Sequence, residues 1–505
     1  MLTLMAITHA EVQLPDNRID LYEKLSDTLL WTWDEERKGI DCNLSALLSD
    51  KKRDKLDFKV ALGELAFEVT KTGGSDFDAP GNISRSALRD QLKKHLCNND
   101  DVWLDDVLNT ISGRSSLLRH VDDEVFVFPH RSFQEYLAAR YYLNRLEDYP
   151  KAAAKLAAED LGFWRKVLLL SVPALGETDG VGKPVELALE LCPSQAPRAE
   201  AQQLLESFAG EVLLEIGLHR VAQSALAKES KILSRVRRRL ANHLKRARFD
   251  VHVRAAAGFV LGNLGDPRPG VGLSEEGLPD IDFLTIEPGK LLYGDEKVTT
   301  TIEHGFEIAR YPVTVAQFGV FVNDQDGYRN PNWWNYGKTA EDFDGGPEDY
   351  DAVSQTPNHP RVGVSWFEAM AFCTWLSVRR GERIELPDEK EWERAARHTD
   401  GRRYPWSADA EKVTANHCNC SITGIAHTSA VGAFPHGAAE SRAVDTSGNV
   451  WEWCKNWSPP GEHSKSVRGG SFCSDAVSVR CANRYLHYPS FRLNDVGFRL
   501  VRRPQ

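Results

Sequence analysis

The sequence predicts a multidomain protein whose N-terminal half is α-helical and whose C-terminal domain is of the α+β class. In the first half, apolar residues recur at the spacing of a helix face, as Leu21, Leu25 and Leu29 do. Residues 269–282 are rich in proline and glycine without an apolar period, which is typical of a linker. Beyond them, short apolar runs alternate with turns, and most of the thirteen tryptophans occur there. We therefore predict helical regions at 1–148 and 149–268, a linker at 269–282 and an α+β domain at 283–505.

Composition and charge exclude several classes of protein. The formal net charge of −11 argues against a protein that coats nucleic acid or an anionic membrane, because attraction to phosphate needs the opposite sign. The apolar start, MLTLMAI, is too short for a signal peptide and lacks its basic residues, and no apolar run long enough to span a membrane follows. Nine cysteines, an odd number, argue against a disulfide framework. We therefore expect a cytoplasmic protein with no membrane partner and no nucleic-acid partner.

The region 1–148 begins with a predicted helix after residues 15–17. The segment ending in WTW at 31–33 and the string FVFPHRSFQEYLAAR at 126–140 resemble the C-terminal part of the NACHT module of signalling ATPases. Such an ATPase needs a GxxxxGK[ST] loop, whose amides, lysine and hydroxyl hold the phosphates and magnesium. The nearest string, GETDGVGKP at 176–184, is one residue too long and has Pro184 in place of the hydroxyl. We therefore expect a loop between helices there, and an ATPase half that belongs to a longer protein.

The region 149–268 is predicted to be helical throughout. RAAAGFVLGNLGDPR at 254–268 resembles one unit of a HEAT-like helical repeat that Gly265 would end. RVRRRLANHLKRAR at 235–248 is the most basic run in the chain. Ile232, Val236, Leu240 and Leu244 recur four residues apart within and beside it, which predicts an amphipathic helix with its cations in solvent rather than a nucleic-acid site.

In the C-terminal domain, two apolar stripes predict helices and three strings predict a frame around the last sixty or so residues. The stripes are Ala369, Phe372, Cys373 and Leu376, and Trp392, Ala395 and Ala396. GNVWEW at 448–453 alternates, so that the two tryptophans share one strand face. The consecutive glycines of RGGS at 468–471 allow a close backbone approach, and VGFRLV at 496–501 predicts a last apolar strand. The residues between these two strings have no core-like period, which predicts an irregular segment held by a rigid frame.

Four strings in this domain resemble the formylglycine-generating enzyme (sulfatase-modifying factor) family: FEIARYPVTVAQF at 306–318, HPRVGVSWFEAMAFCTWL at 359–376, RIELPDEKEWERAAR at 383–397, and GNVWEW. The resemblance implies a variant of the C-type lectin fold over 283–505. Enzymes of the family oxidise a substrate cysteine through copper held by two cysteines, the third and eighth residues after the serine of GGS. Soft thiolates suit Cu(I), but here Ser474 and Val479 occupy these positions, and Cys473 and Cys481 are out of register. We therefore expect neither copper nor oxidase activity.

The resemblance also implies calcium. Family members bind it through a side chain before the GN-W-E-W segment, carbonyls within that segment and its glutamate. Asp445, Gly448, Val450 and Glu452 match these positions, and their oxygens suit a hard cation. Asn416, with the carbonyl of His417, is a candidate for a second site. The sequence leaves open the alternative that Asp445 caps a turn and Glu452 pairs with an arginine. The string HCNC at 417–420 could supply metal ligands, but no second Cys/His pair lies at a structural-zinc spacing from it. We therefore do not expect zinc there.

One branch of the family accounts for the irregular segment. Variable proteins of diversity-generating retroelements end in fixed residues, RGGSW, R-A-R, P, R and GFR, among positions that adenine-directed mutagenesis varies. This chain keeps that frame at matching intervals, with Phe472 in place of tryptophan. The mutagenesis cannot give Lys, Glu, Gln, Met or Trp, and twelve intervening residues comply: Cys473, Ser474, Asp475, Ser478, Tyr485, Leu486, His487, Tyr488, Phe491, Leu493, Asn494 and Asp495. The resemblance implies that these twelve residues bind a ligand.

The chemistry of the segment agrees with binding. Its aromatic residues bring contact area at low entropic cost, as in antibody loops, and the frame residues Arg480, Arg484, Arg492 and Arg499 are expected to pair with carboxylates inside the fold. We therefore predict a ligand-binding display protein whose partner is a protein or another macromolecule. Two alternatives stay open: an oxidase that makes formylglycine on a sulfatase cysteine, with copper as its cofactor, and a family member whose last segment only packs.

Overall fold

The computed structural model describes residues 18–32, 44–72, 81–96, 100–114, 117–122, 124–178, 180–195, 200–246, 249–407, 412–457 and 463–504. The predicted helix start at 15–17 lies outside these residues. The chain divides into two compact units, Met1–Leu233 and Ser234–Gln505. The division falls inside the region 149–268, which the sequence analysis treats as one.

The first part of unit 1 combines helices with a small sheet. Its helices are α1 Arg18–Asp27, continued by a π-helical turn at Thr28–Thr32, α2 Leu44–Asp50, α3 Lys55–Thr72, α4 Arg85–Leu96, α5 Asp101–Arg114 and α6 Arg131–Leu137. Its strands are β1 Ile83–Ser84, β2 Arg119–Asp122 and β3 Val125–Val127, in the antiparallel order β1-β3-β2. The sequence analysis predicts only helices here, because strands of two to four residues are too short to show an alternating pattern.

The rest of unit 1 is helical, as predicted. Its helices are α7 Tyr149–Glu159, α8 Leu161–Thr178, α9 Gly182–Leu191, α10 Glu200–Ile216, α11 Leu218–Gln223 and α12 Ala225–Ser230. Residues 176–178 of the string GETDGVGKP end α8 and residues 182–184 begin α9, so most of the predicted loop is helical. Helix α13, Ile232–Leu244, crosses the division between the units, and its four predicted apolar positions are fully buried, which confirms the amphipathic helix. No helix of the described residues is long and apolar enough to cross a membrane.

Unit 2 is built from helices and three sheets. Its helices are α14 Val251–Leu264, α15 Val315–Asn323, α16 Trp366–Arg380 and α17 Glu389–Arg397. Its strands are β4 Phe283–Ile286, β5 Gly289–Tyr293, β6 Val298–Ile302, β7 Phe306–Ala309, β8 Arg383–Glu385, β9 Trp451–Trp457, β10 Lys465–Arg468, β11 Arg484–His487, β12 Val496–Phe498 and β13 Val501–Arg503. The sheets have the orders β11-β10-β9-β12, β4-β7-β13-β8 and β5-β6.

Helices α16 and α17 form where the apolar stripes predict them. Both begin with a capping box, from Ser365 with Glu368 and from Asp388 with Glu391, in which each side chain accepts a backbone N–H. All residues of both predicted stripes are buried. Those of α16 join one hydrophobic core with Trp451 and Trp453 of β9 and with Phe498, so this core supports the sheet that carries the last sixty residues.

Two predictions about the last sixty residues need correction. The string 496–501 is two strands rather than one, because β12 pairs with β9 and β13 pairs with β7 and β8 in another sheet. Arg499 lies between the two strands. The segment after RGGS is not wholly irregular either, since β11 pairs with β10 along four residues and forms the edge of its sheet. The tertiary contacts of β10 order β11, and these are not visible in a local pattern.

Residues 269–282 are bonded to the C-terminal domain. Gln317 Nε2 donates to the Gly270 carbonyl at 3.1 Å and to the Asp280 carbonyl at 2.5 Å, and Thr314 Oγ1 donates to the Val271 carbonyl at 2.8 Å. The segment predicted as a linker therefore packs onto the domain it precedes.

Helix α14 packs closely against the same domain at two glycines. Asn358 Nδ2 donates to the Gly258 carbonyl at 3.0 Å. A Cβ at Gly258 would lie 2.6 Å from the Ala430 Cβ, and one at Gly262 would lie 2.6 Å from Thr356 Cγ2. Only residues without side chains fit this contact, so α14 belongs structurally with the C-terminal domain.

Candidate functional site

A buried ion-pair network supports the sheet at the C-terminal end of the chain. Arg468 Nη2 donates to Glu393 Oε2, and Arg397 Nη1 donates to Glu393 Oε1 at 2.6 Å. All three side chains are almost completely buried. The Arg468 guanidinium also lies 5.5 Å from the centre of the Trp392 ring. Such charge-assisted bonds in a buried site fix side-chain geometry, so this part of the frame is rigid.

A second network links the two four-stranded sheets. Arg499 donates from Nη2 to Glu452 Oε1 at 2.8 Å and from Nε to Oε2 at 2.9 Å, and both side chains are fully buried. Trp392 Nε1 donates to Glu452 Oε2 at 2.6 Å. Arg499 Nη1 also donates to the Ala309 and Arg310 carbonyls at 2.9 and 2.6 Å, next to β7. The residue that interrupts the predicted last strand therefore ties β9 to the neighbouring sheet.

The other predicted frame arginines also pair with carboxylates, but not all of them inside the fold. Arg492 Nη2 lies 2.8 Å from Glu368 Oε1, and this pair is mostly buried. Arg480 and Arg484 pair with Asp295 and Glu389 at 2.5 and 3.4 Å, in contacts that reach the surface. The prediction of pairing is confirmed for all four arginines, whereas the predicted interior location holds for Arg492 and Arg499.

The glycines of RGGS turn the chain as predicted. Gly469 and Gly470 have φ of 97° and 76°, in the left-handed region that side chains disfavour. A Cβ at Gly469 would lie 3.1 Å from the Trp392 ring, and one at Gly470 would lie 2.7 Å from Val479 Cγ1. The turn therefore brings the backbone onto the buried networks, and the next residues start from a fixed position.

The twelve predicted contact positions all have exposed side chains, in whole or in part. Cys473, Asp475, Tyr485, Tyr488, Phe491 and Asn494 are exposed, and Ser474, Ser478, Leu486, His487, Leu493 and Asp495 are half-buried. The buried residues of the same stretch are frame or intervening residues: Gly469, Gly470, Ser471, Phe472, Val479, Cys481, Ala482, Val496, Gly497 and Phe498. The stretch thus separates a packed set of residues from an outward-facing set. Ligand binding by the outward set stays a prediction.

Four aromatic side chains of the outward set form a continuous row, which we call the aromatic row: Tyr485, His487, Tyr488 and Phe491. Neighbouring ring centres are 5.0 Å apart for Tyr485 and His487, 6.3 Å for His487 and Phe491, and 5.3 Å for Phe491 and Tyr488. The exposed fractions of Tyr485, Tyr488 and Phe491 are 58%, 56% and 45%. Single exposed apolar residues are ordinary, but a contiguous group of aromatic ones is typical of a binding surface.

The row rests on the core tryptophans of β9. The Tyr485 ring lies 6.3 Å from Trp451, and the His487 ring lies 6.2 Å from Trp453. Since Trp453 is fully buried, the row is held from below by packed side chains. Burial lowers the pKa of His487, although Asp495 opposes the change. The row therefore carries no positive charge at neutral pH.

Hydroxyl and carboxylate groups occupy the polar part of the outward set. Asp495 Oδ2 accepts from Ser471 Oγ at 2.9 Å and from Cys473 Sγ at 3.4 Å. Asp475 Oδ1 accepts from the Ser478 amide at 2.8 Å. Hydrogen bonds from Ser478 lower the pKa of Asp475, so this carboxylate is ionised. The described donors to both carboxylates are neutral groups.

The structure does not bring Cys473 and Cys481 together. Cys473 is exposed and contacts Ser471 and Asp495. Cys481 is fully buried beside Trp392, and its thiol lies 3.7 Å from the Ala396 carbonyl. Burial raises the pKa of Cys473 and raises that of Cys481 to about 12, so both thiols are protonated at neutral pH. Cys473 at the surface and Cys481 in the core therefore do not form the pair that the oxidase needs.

The HCNC string forms a buried thiol pair. Cys418 and Cys420 pack with Tyr404 and Val479. A hydrogen bond between the thiols, followed by burial, raises the pKa of Cys418, and the same bond lowers that of Cys420 to about 7. His417 stacks on Trp406 at 4.5 Å between ring centres. Among the described residues, no group of three or more His, Cys, Asp or Glu side chains is arranged to hold a metal ion.

The positions that match the family's calcium site are engaged in other contacts. Glu452 uses both carboxylate oxygens for Arg499 and Trp392, and Asp445 Oδ2 accepts from the Gly432 amide at 2.6 Å. The Gly448 carbonyl accepts from the Val450 amide at 3.0 Å. At the second position, Asn416 Oδ1 accepts from Arg254 Nη2 at 3.3 Å. This arrangement fits the alternative in which Asp445 caps a turn and Glu452 pairs with an arginine, and calcium binding stays a prediction.

Asn449, which the sequence analysis passes over, holds the start of the contact segment. Its φ of 67° is left-handed. Its Oδ1 accepts from the Ser429 amide at 2.9 Å, and its Nδ2 donates to the Ser429 carbonyl at 3.1 Å. The Asn449 carbonyl accepts from the Phe472 amide at 3.0 Å. The signal was the dipeptide Gly448-Asn449, because both residue types tolerate this conformation.

Tyr350, also missed, extends the surface from a distant loop. It is 39% exposed, and its hydroxyl donates to the Arg492 carbonyl at 2.8 Å. Burial raises the pKa of Tyr350, and the neighbouring carboxylates of Glu348 and Asp495 raise it further. No local pattern could have placed this loop beside Arg492, because the contact joins residues far apart in the chain.

Two families account for most of the described chain. Residues 274–504 match the family described as Sulfatase-modifying factor enzyme 1-like domain, and residues 18–142 match the Winged helix-turn-helix domain C-terminal to NACHT. The chain therefore carries a sulfatase-modifying-factor-like domain behind a NACHT-associated winged helix domain, which confirms both resemblances drawn from the sequence. The small sheet of unit 1 belongs to the winged helix domain.

Characterised relatives share the C-terminal domain and differ in activity. The formylglycine-generating enzyme of Thermomonospora curvata is 32% identical over 186 residues, which are 30% of this chain and 58% of that protein. The hercynine oxygenase of Mycolicibacterium thermoresistibile is 35% identical over 235 residues, which are 39% of this chain and 50% of that protein. The chain thus spans about half the length of the curated relatives it matches, and their names cover more than one reaction.

Solved structures of similar fold include PvdO from Pseudomonas aeruginosa and variable protein 1 of Treponema denticola. They are 21% and 20% identical to this chain, with TM-scores of 0.37 and 0.35. The match to PvdO covers 47% of this chain and 99% of PvdO, and the match to the Treponema protein covers 45% of this chain and 96% of that protein.

Proposed function

We propose that the sulfatase-modifying-factor-like domain is a ligand-binding domain that displays the twelve outward residues of 473–495 to a protein or other macromolecule. The observation that carries this proposal is the division of one continuous stretch into a packed frame and an outward-facing set. A catalytic pocket would place its reactive side chains in a cavity, whereas the aromatic and polar side chains of this set reach solvent.

The frame gives the surface the rigidity that tight binding needs. Ordering flexible side chains on binding costs about 0.5–1.5 kcal/mol for each one. The aromatic row avoids much of this cost, because its rings have few rotatable bonds and rest on Trp451 and Trp453. Tyrosine and other aromatic residues are also those that most often dominate binding energy at interfaces. The row is therefore the proposed centre of the contact.

The same frame would tolerate replacement of the displayed residues. The buried networks around Glu393 and Glu452 lie beneath the sheet and involve none of the twelve positions. Substitution of exposed residues away from such networks usually changes stability little. We therefore also propose that the twelve positions can vary among copies of this protein, as the resemblance to retroelement variable proteins implies.

The oxidase alternative lacks support from the site. The positions of the copper cysteines are Ser474 and Val479, and the two nearby thiols lie apart. A direct test is incubation of the full chain with Cu(I), oxygen and a cysteine-containing sulfatase peptide. We expect no formylglycine by mass spectrometry, and aldehyde formation would contradict the binding proposal.

A selection experiment tests the binding proposal. A displayed library of random twelve-residue peptides is selected on the full chain and counter-selected on the variant Tyr485→Ala/Tyr488→Ala/Phe491→Ala. We expect peptides whose affinity falls at least about 30-fold on this variant, since removal of central aromatic contacts typically costs about 2 kcal/mol or more.

The matched control removes three exposed apolar residues elsewhere in unit 2, in the variant Leu273→Ala/Val298→Ala/Val378→Ala. These side chains are exposed to a similar extent. The selected peptides should bind this control as they bind the natural chain. The proposal fails if repeated selection yields no peptide that distinguishes the aromatic-row variant from the control.

A further inference from the structure

Three carboxylates lie in the contact segment that carries the aromatic row or in the loop bonded to it. Glu348, Asp475 and Asp495, which we call the acidic rim, come from the 348–350 loop and from both ends of the contact segment. Glu348 and Asp475 are exposed, and Asp495 is half-buried. Burial lowers the pKa of His487 and raises that of Tyr350, and Asp495 acts to raise both, so its carboxylate lies near the row and near the loop.

The nearby arginines each have a carboxylate partner outside the rim, although Arg480 also lowers the pKa of Asp475. Arg480, Arg484 and Arg492 pair with Asp295, Glu389 and Glu368 respectively. The described contacts of Asp475 and Asp495 are instead with hydroxyl, thiol and amide groups. Since His487 is neutral, the exposed surface combines aromatic rings with net negative charge.

Aromatic faces beside carboxylates suit one kind of ligand chemistry. A cation within about 6 Å of a ring centre is attracted by the ring's quadrupole, by about 0.5–2 kcal/mol depending on exposure. Arginine adds stacking on the ring and paired hydrogen bonds to a carboxylate. The tilts of 44° to 64° between neighbouring rings of the row present several differently oriented faces to such groups. Anionic ligands, nucleic acid included, would be repelled by the rim.

We infer that the ligand of this surface is a cationic protein segment, whose arginine or lysine side chains stack on the aromatic row and pair with Asp475, Asp495 and Glu348. This inference rests on the proposed function, because it names the chemistry of the partner at the same surface. The overall charge of −11 adds long-range attraction to such a partner.

The peptide selection also tests this inference. Peptides that depend on the aromatic row should contain arginine and lysine at least about twice as often as the unselected library. Their dissociation constants should rise at least about fivefold between 50 and 300 mM NaCl, because salt screens charge pairs near a surface.

A second pair of variants separates local charge from net charge. Asp475→Asn/Asp495→Asn should weaken the selected peptides at least about fivefold and flatten their salt dependence. Glu296→Gln/Glu303→Gln removes two exposed carboxylates, one in the turn of the β5–β6 hairpin and one directly after β6, with the same change in net charge, and should leave both properties nearly unchanged. Thermal melting of each variant checks that the fold is retained.

The outcomes separate the two proposals. Peptides that depend on the row but are neutral or acidic, or that ignore the Asp475→Asn/Asp495→Asn change, overturn the inference and leave the proposed function standing. A selection without row-dependent peptides overturns the proposed function and, with it, the inference.

Discussion

Glu393 illustrates how much of the frame depends on a single buried carboxylate. It accepts hydrogen bonds from Arg468, from Arg397 and from the Gly294 amide, in a site without solvent access. In Glu393→Gln the shape is kept but two buried guanidinium groups lose their counter-charge. Breaking a buried ion pair by changing one partner typically costs about 3–5 kcal/mol. We expect a loss of that size in the free energy of unfolding, measured by urea denaturation.

The control is an exposed ion pair formed by Asp295, the residue that follows Gly294. Asp295 is 57% exposed and pairs with Arg480. Asp295→Asn should lower the free energy of unfolding by about 1 kcal/mol or less, because exposed ion pairs contribute little. Equal losses in the two variants would show that Glu393 does not hold the frame.

Asp445 predicts a dependence of stability on pH. Burial raises its pKa to about 6, against the partial opposition of the Gly432 amide, Arg499 and Arg268. In the unfolded chain its pKa is about 3.9. The folded state therefore keeps a proton that the unfolded state has released, and this contribution to stability is full below about pH 4 and is lost as pH rises through about 6.

The variant Asp445→Asn measures this contribution. Asparagine keeps an acceptor for Gly432 and tolerates the left-handed φ of 58°, but does not titrate. Relative to this variant, the natural chain should lose up to about 3 kcal/mol in free energy of unfolding between pH 4 and pH 8. The two proteins also test calcium, since an added ion that binds Asp445 would raise the melting temperature of the natural chain more than that of the variant.

At the level of elements, the sequence predicts well where a local pattern and a cap agree. Helices α16 and α17 have an apolar stripe, an N-cap residue and a glutamate three residues later, and both form as predicted. Prediction fails where tertiary contacts decide. The pairing of Arg499 with Glu452 splits the last strand, β10 orders β11, and the strands of the winged helix domain are too short to show a period.

Helix α14 offers a test of its close packing. A Cβ at Gly262 would press on Thr356 and Asn358, so Gly262→Ala should destabilise the protein by about 1–3 kcal/mol despite the better helix propensity of alanine. Gly319 in α15 has no atom within 4 Å of the corresponding position. Gly319→Ala should therefore stabilise by up to about 1 kcal/mol. Denaturation of both variants measures the contrast, and stabilisation by Gly262→Ala would contradict the packing of α14.

The winged helix domain predicts an absence of DNA binding. In helix-turn-helix proteins the second helix of the motif enters the major groove. Here that helix is α5, whose outward residues include Asp101 and Asp106 as well as the 75% exposed Val102. Carboxylates at this position repel phosphate, and the Arg89 and Lys93 cations of α4 beside it are paired with Asp101. Fluorescence anisotropy with a labelled random 30-base-pair duplex should show no binding by the full chain at 150 mM NaCl, and salt-sensitive binding would contradict this reading.

For the whole molecule, the sequence could indicate which residues face outward but not what surrounds them. The twelve positions were predictable because the fixed residues between them match a known frame, and each has a side chain that reaches solvent in the structure. Tyr350 and Glu348 were not predictable, since the fold brings their loop to Arg492 across more than a hundred residues. Segments that are distant in the sequence form this surface together, so no local sequence pattern predicts which charged residues lie on it.

Different residues of the C-terminal domain determine its stability and its proposed binding, and melting temperatures of two variants test this division. Tyr485→Ala/His487→Ala/Tyr488→Ala removes most of the aromatic row but none of the buried networks. We expect a change in melting temperature of only a few degrees, because exposed side chains contribute little to folding.

Gly470→Ala removes no contact, yet places a Cβ 2.7 Å from Val479 at a φ of 76°. It should lower the melting temperature more than the triple variant does, because the strain falls on the frame that all twelve displayed residues share. A larger loss in the triple variant would mean that the row belongs to the core.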